Sequence, residues 1–159
     1  MTLNIGDKAP TFTMPTDGGD DVTLSDFSGQ NLVLYFYPKD DTPGCTTQAC
    51  DFTENLSQFN NMDTAVLGVS KDSIKKHQKF KAKHNLTFPL ASDETTSVCE
   101  DYGVWKEKSM YGKTYMGIER TTFLIDSSGI IQQIWNKVKV KTHVAEVQEA
   151  VSNLHKKTA

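Results

Sequence analysis

Arginine is nearly missing from this sequence: of 17 basic residues, Arg120 alone is arginine and the rest are lysine. A preference for lysine carries no functional meaning by itself. A chain that otherwise does without arginine nevertheless has a local reason for one planar, permanently charged, multi-donor group. Cysteine is also scarce, with only Cys45, Cys50 and Cys99. An odd number of thiols, with no export signal at the N-terminus, argues against a structural disulfide framework. No His or Cys pair near Cys45 and Cys50 completes a four-ligand site, so neither a metal nor any other cofactor is expected. Long apolar runs are missing too. The longest, Leu32 to Tyr37, falls far short of the roughly 20 residues that cross a bilayer. The N-terminus has neither a basic segment leading into an apolar stretch nor an Arg-rich amphipathic one, so the expected address is the cytoplasm. A net charge of −3 gives no electrostatic reason to expect nucleic acid or an anionic membrane as partner.

What is present is ordinary for a globular chain: 37% hydrophobic and 23% charged residues over 159 positions. That length is expected to form one domain, residues 1–159, burying roughly 70% of its unfolded surface without a staple. The four histidines, His77, His84, His143 and His155, lie in Lys-rich or terminal stretches and read as solvated surface. Val138-Lys139-Val140-Lys141 alternates as an exposed strand edge would.

Phe12 to Met14 and Val22 to Leu24 alternate around Asp17-Gly18-Gly19-Asp20, which predicts a hairpin. Leu32 to Tyr37, closed by Pro38, suits a central strand buried on both faces. Ala49, Phe52, Leu56 and Phe59 recur at spacings of three and four, predicting one helix over 43–60. Ala65 to Val69 reads as a second buried strand, followed by a Lys-rich helix near 72–84. Phe88-Pro89-Leu90-Ala91 reads as a short edge strand because proline cannot donate to a ladder. A brief helix near 95–104 follows, then a hairpin of Thr121–Asp126 and Ile130–Trp135 around Ser127-Ser128-Gly129. A last helix near 143–156 carries Val144, Val147, Val151 and Leu154 on one face. The order is that of an α/β, thioredoxin-like fold: a mixed central sheet flanked by helices, with an added N-terminal β-hairpin.

The segment richest in chemistry is Tyr37-Pro-Lys-Asp-Asp-Thr-Pro-Gly-Cys45-Thr-Thr-Gln-Ala-Cys50. Thr42 suits an N-cap and Pro43 the first helical position, which places Cys45 in the first turn. There the free N–H groups and the helix dipole favour a negative charge, hence the reactive thiolate form. The loop follows the C-terminal end of the central strand, where open α/β sheets place their sites. Alone, Cys45 is equally well a small buried residue that begins a helix. Cys50, within one and a half turns, favours exchange chemistry. A disulfide oxidoreductase wants Cys-x-x-Cys, which is shorter than the spacing here. A cysteine phosphatase wants an arginine just after the nucleophile, and none is there. A cysteine hydrolase wants an adjacent base, and no histidine is placed as one. Attack on a peroxide needs no base. It needs stabilisation of the charge developing on the leaving oxygen, for which a hydroxyl and an arginine serve.

Pro38-x-x-x-Thr42-x-x-Cys45 resembles the active-site motif of peroxiredoxins. The run Phe36 to Cys50 is similar to the bacterioferritin comigratory protein, or peroxiredoxin Q, subfamily, and so are Gly6 to Pro10, Gly68-Val-Ser70, Tyr102 to Trp105 and Arg120 to Asp126. The resemblance implies a thiol-dependent peroxidase. Cys45 would be the peroxidatic cysteine, oxidised to sulfenic acid, and Thr42 the hydroxyl bonded to thiolate and peroxide. Arg120 would be the guanidinium that stabilises the thiolate and polarises the peroxide, and Pro38 the shield against water. Cys50 matches the resolving cysteine, which forms an intramolecular disulfide that thioredoxin reduces. With the resolving thiol in the same helix, a monomer suffices. Gln48, one turn after Cys45, suits a supporting role and an exposed helix position equally. Cys99 has no role in this pattern, and Trp105 and Trp135 read as packing residues. A rival reading with the same residues is a peroxide sensor that passes oxidation to a partner protein.

Overall fold

The longest apolar run becomes the middle of a sheet. In the computed structural model, which describes residues 3–158, strands β1 (Thr13–Pro15) and β2 (Asp21–Thr23) form the N-terminal hairpin, followed by β3 (Asn31–Phe36), buried along its whole length. Side chains alternate along a strand. Leu32, Leu34 and Phe36 therefore enter one apolar cluster, and Val33, Tyr35 and the following Tyr37 enter the other.

Two helices follow β3, α1 (Pro43–Glu54) and α2 (Leu56–Asn61), then β4 (Thr64–Ser70), α3 (Ile74–His84), β5 (Leu90–Ser92) and α4 (Val98–Asp101). The chain continues through β6 (Trp105–Met110), β7 (Lys113–Ile118), β8 (Thr121–Ile125) and β9 (Ile131–Trp135) to α5 (His143–Thr158). The main sheet has the order β5-β4-β3-β8-β9. β4 runs parallel to β3 and β5, while β8 runs antiparallel to β3 and β9. Helices α1, α3 and α5 send Cys45, Ala49, Phe52, Phe80, Val144, Val147 and Val151 into the cluster of one face. The N-terminal hairpin and α4 cover the other face with Met14, Val22, Val98 and Cys99. This is the thioredoxin-like arrangement with an added hairpin that the element order predicts.

Several local expectations give way. The helix expected over 43–60 breaks at Asn55, whose side-chain amide donates to the Asp51 carbonyl at 2.8 Å and so competes with the helical ladder. The apolar spacing survives the break, since Phe52 and Phe59 are both buried. Residues 138–141 form no strand: Lys137 adopts φ +49°, the chain turns, and Val138 N–H donates to the Arg120 carbonyl at 3.0 Å. His77 and His143 are buried, not solvated. His77 sits three residues before Phe80 on the inner face of α3, and the lysines around it belong to the outer face. Nothing in residues 105–118 announces the β6–β7 hairpin, because most of its side chains are exposed and the apolar alternation is lost. It turns through Tyr111 and Gly112, both with positive φ, the geometry of a tight hairpin turn. Among the described residues no helix is long and apolar enough to cross a membrane.

Gly68 on β4 lies under the Tyr35 ring. A Cβ there would fall 2.9 Å from Tyr35 Cζ and Oη and 3.0 Å from Leu90 Cδ2. Gly68→Ala is expected to destabilise the fold by about 1–3 kcal/mol through overpacking, read as a lower urea midpoint at unchanged slope.

Candidate active site

The sheet register brings two distant segments together. Phe36, the last residue of β3, pairs with Thr121, the first of β8. The chain entering β8 therefore lies beside the chain leaving β3. Arg120 immediately precedes Thr121, and the loop to α1 follows Phe36, so the guanidinium and the first turn of α1 meet at the end of the central strand.

In that first turn Thr42 is the N-cap with extended backbone, Pro43 is the first helical residue and Cys45 the third. Cys45 is buried, with 1% of its surface exposed. Its sulfur lies 3.2 Å from Arg120 Nη2, which donates to it. Arg120 Nη1 donates to Gln48 Oε1 at 2.7 Å. Gln48, one turn beyond Cys45, is fully buried, so its reading as an exposed helix position fails. Gly44 explains how the guanidinium comes so close: a Cβ there would sit 3.1 Å from Arg120 Nη2. The Arg120 backbone is fixed as well, by Val138 N–H on its carbonyl and by the neighbouring Glu119 N–H on the Val104 carbonyl at 2.8 Å.

Thr42 holds the cap position, but its hydroxyl does not close the helix. It donates to the Lys39 carbonyl at 2.9 Å. With its proton committed there, the oxygen keeps lone pairs for an incoming donor. Pro38 is half-buried at the start of the loop. Cys50 is half-buried farther along α1, and both it and Cys45 are free thiols. Burial, then the carboxylates of Asp51 and Glu54, push the Cys50 thiol above its usual range. Of the five residues expected at the site, Cys45 and Arg120 are in direct contact. Thr42 borders them through the helix start, while Pro38 and Cys50 stand further off along the chain.

Two neighbours have no signal in the sequence. Lys108 on β6 is half-buried, its stem crossing Gly117 where a Cβ would meet its Cδ at 3.3 Å. Burial and the Arg120 charge lower its ammonium's proton affinity, while Cys45 and Glu119 act in the opposite sense. His143, at the start of α5, bonds Thr122 Oγ1 at 2.8 Å, and burial with the Arg120 charge pushes it down to about 4. Both depend on pairings remote in sequence. Cys99 lies elsewhere, buried, with burial and Asp93 pushing its thiol far up.

The AhpC/TSA family model matches residues 5–134. The chain is 56% identical to the putative peroxiredoxin bcp of Coxiella burnetii, covering 92% of this chain and 97% of that one. It is 52% identical to peroxiredoxin Bcp of Bacillus subtilis, over 99% and 100% of the two chains. Among solved structures, Xanthomonas campestris bacterioferritin comigratory protein, described for its alkyl peroxide reduction activity, superposes with a TM-score of 0.86 at 44% identity, covering 91% and 92%. A mutant of Xylella fastidiosa PrxQ superposes with a TM-score of 0.91 at 43% identity, covering 96% and 98%.

Gly44→Ala tests the close approach. The added methyl crowds Arg120 Nη2, which has to give way slightly beside Cys45, and first-turnover oxidation by hydrogen peroxide is expected to slow by up to about tenfold, short of the full loss of an oxyanion donor. An unchanged rate constant would separate the guanidinium from the reaction.

Proposed function

The chain belongs to the AhpC/TSA family and is a thiol-dependent peroxidase, and from that premise we propose how its residues divide the work. The Cys45 thiolate attacks the terminal oxygen of a hydroperoxide. An S–O bond forms and the O–O bond breaks. The leaving oxygen takes a proton to become water or an alcohol, and Cys45 is left as a sulfenic acid. The observation that carries this is the 3.2 Å contact of Arg120 Nη2 with the Cys45 sulfur, in the first turn of a helix. Arg120 stabilises the thiolate and then the charge on the departing oxygen, and Gln48 holds the guanidinium in plane. The Thr42 oxygen accepts a hydrogen bond from the peroxide O–H and aligns the O–O bond. Pro38 screens the site from water.

Cys50 resolves the sulfenic acid. Its thiolate attacks the Cys45 sulfur, an S–S bond forms, and the hydroxyl leaves as water. Both cysteines lie on α1, where five residues give about 7.5 Å of rise and put the Cα atoms about 8.6 Å apart, beyond the ~4.4–6.8 Å a disulfide tolerates. The first turns of α1 must therefore unwind in each cycle. Thr46 and Thr47, poor helix formers, lie between the two thiols and lower that cost. A dithiol reductant, thioredoxin, then regenerates both thiols. The same reading treats residues 1–159 as one domain, acting as a monomer in the cytoplasm on hydrogen peroxide and organic hydroperoxides.

The test is a coupled assay with thioredoxin and its reductase. Wild type is expected to turn over many times and Cys45→Ser not at all, while Cys50→Ser reacts once and accumulates sulfenic acid. Comparable turnover by Cys45→Ser would overturn the assignment, and a single turnover by wild type would favour a peroxide relay. Arg120→Lys keeps the charge but loses the fork, at a cost of about 2–4 kcal/mol in the transition state.

The raised Cys50 thiol gives a further expectation, on pH. The attacking form is the thiolate, so disulfide formation following a peroxide pulse should quicken as pH rises above neutral. Glu54→Gln removes one of the charges that disfavour the thiolate, and the profile should move to lower pH. Stopped-flow fluorescence over a pH series reads both effects, and a flat profile would mean that Cys50 deprotonation is not on the path.

A further inference from the structure

The loop between β3 and α1 is tied down by groups that peroxide chemistry does not use. Asp40 is the centre of the tie. Its side chain is 5% exposed, and its Oδ2 lies 2.5 Å from Nδ1 of His77, which is fully buried on α3. Its Oδ1 accepts from the Tyr37 hydroxyl at 2.5 Å, and its own N–H donates to Asp72 Oδ2 at 2.6 Å. The other ring nitrogen of His77 donates to the Ala91 carbonyl of β5 at 2.9 Å. Both ring nitrogens thus face oxygen acceptors, so Nε2 carries a proton and Nδ1 carries or shares one with the carboxylate. Asp72 is itself held between Ser70 and Ser92. Asp40 is thereby anchored to β4, α3 and β5. By contrast, Asp41 pairs with Lys83 and His84 at the exposed surface, where such pairs contribute little.

The anchor ends two residues before Thr42. Asp41, with φ +60°, is the joint between the fixed part of the loop and the helix that must unwind. We propose that the Asp40–His77 pair is a latch on the active-site loop, with His77 a positioning residue, that sets how the Cys45 sulfenic acid divides between disulfide formation and over-oxidation. The inference rests on the reading of Cys50 as resolving thiol. A closed latch holds Lys39, Thr42 and the first turn of α1 in the geometry that attacks peroxide. It also opposes unwinding. While α1 stays wound, the sulfenic acid remains open to a second hydroperoxide, whose O–O bond breaks as its oxygen is transferred to sulfur, giving sulfinic acid and an alcohol or water. Loosening the latch therefore moves two quantities in opposite senses: peroxide attack slows, and resistance to over-oxidation rises. A residue of merely structural importance moves neither quantity in that coupled way.

The experiment compares Asp40→Ala and His77→Gln with wild type, and uses Thr96→Val as a control. Thr96 bonds the buried carboxylate of Asp93, a network of similar kind whose carboxylate accepts from the start of α4 and not from the loop. First-turnover oxidation of Cys45 by hydrogen peroxide should slow by about tenfold to a hundredfold in both latch variants, as misplacement of a reacting group does. The sulfinic fraction by mass, at graded peroxide, should fall several-fold. Amide exchange over residues 40–54 of the reduced protein should quicken. Thr96→Val should lose stability and move none of the three. Asp40→Asn should recover much of the wild-type behaviour, because its amide can donate to Nδ1 of the neutral ring while Nε2 still donates to Ala91. A sulfinic fraction that is unchanged or higher in the folded latch variants would overturn the proposal, and so would unchanged exchange over 40–54. If wild type forms no Cys45–Cys50 disulfide, the reading of Cys50 fails on its own, and exchange with the attack rate still report on whether the latch holds the loop.

Discussion

The contact on which the rest of the site depends is the one between Arg120 and Cys45. A guanidinium 3.2 Å from a sulfur needs each chain to be placed independently. The antiparallel pairing of β3 with β8 sets the position of the arginine backbone. Pro43 and the extended Thr42 start α1 early enough to put Cys45 in its first turn. Gly44 leaves room for the fork, and Gln48 takes its second edge. None of these partners is chemically reactive. In the proposed reaction they supply the orientation that sets a buried thiol beside a fixed cation, which costs no reorganisation when charge develops.

That fixed geometry conflicts with the second half of the cycle. In the proposed division of work, the helix that places Cys45 for attack also keeps Cys50 out of bonding range, so one segment is ordered for one step and unwound for the next. The structure separates the two demands by position. Before Thr42 the loop is held by buried, charge-assisted bonds to α3 and β5. After it come Pro43, Gly44, Thr46 and Thr47, residues that support a helix weakly or only at its start. The break at Asn55 ends α1 before α2 can lend it continuity. The residues least suited to a helix thus fall in the stretch that unwinds in the proposed cycle.

The sequence was most legible where the physics is local. The Thr-Pro start of α1 and the place of Cys45 follow from capping and proline rules, and the apolar runs and turns of β3, β8 and β9 from short-range pattern. Arg120 was visible through composition, as the lone arginine in a lysine-rich chain. Gln48 stayed ambiguous because a residue one turn from Cys45 faces inward only if something is there to meet it, and Arg120 lies 72 residues away. His77 reads as surface because lysines surround it in sequence. In the helix those lysines point outward while His77 and Phe80 share the inner face. Lys108 and the β6–β7 hairpin left no trace, since an exposed ribbon needs no apolar pattern and its reach toward the site is a tertiary fact.

Cys99 shows why burial and a helix start do not by themselves make a reactive thiol. It too is buried, and it too lies in the first turn of a helix, α4. There the free N–H groups of Val98 and Cys99 are taken by the Asp93 carboxylate, at 3.1 and 2.7 Å. The negative charge that the helix end favours is already in place, and it belongs to the aspartate. A thiolate at Cys99 would face that carboxylate in a buried setting, which is why burial and Asp93 push the thiol up together. At Cys45 no carboxylate occupies the helix end and the neighbour is a guanidinium. The sign of one adjacent side chain therefore separates the two cysteines. In a chain with a single arginine, it also marks which of the two buried thiols is suited to attack first.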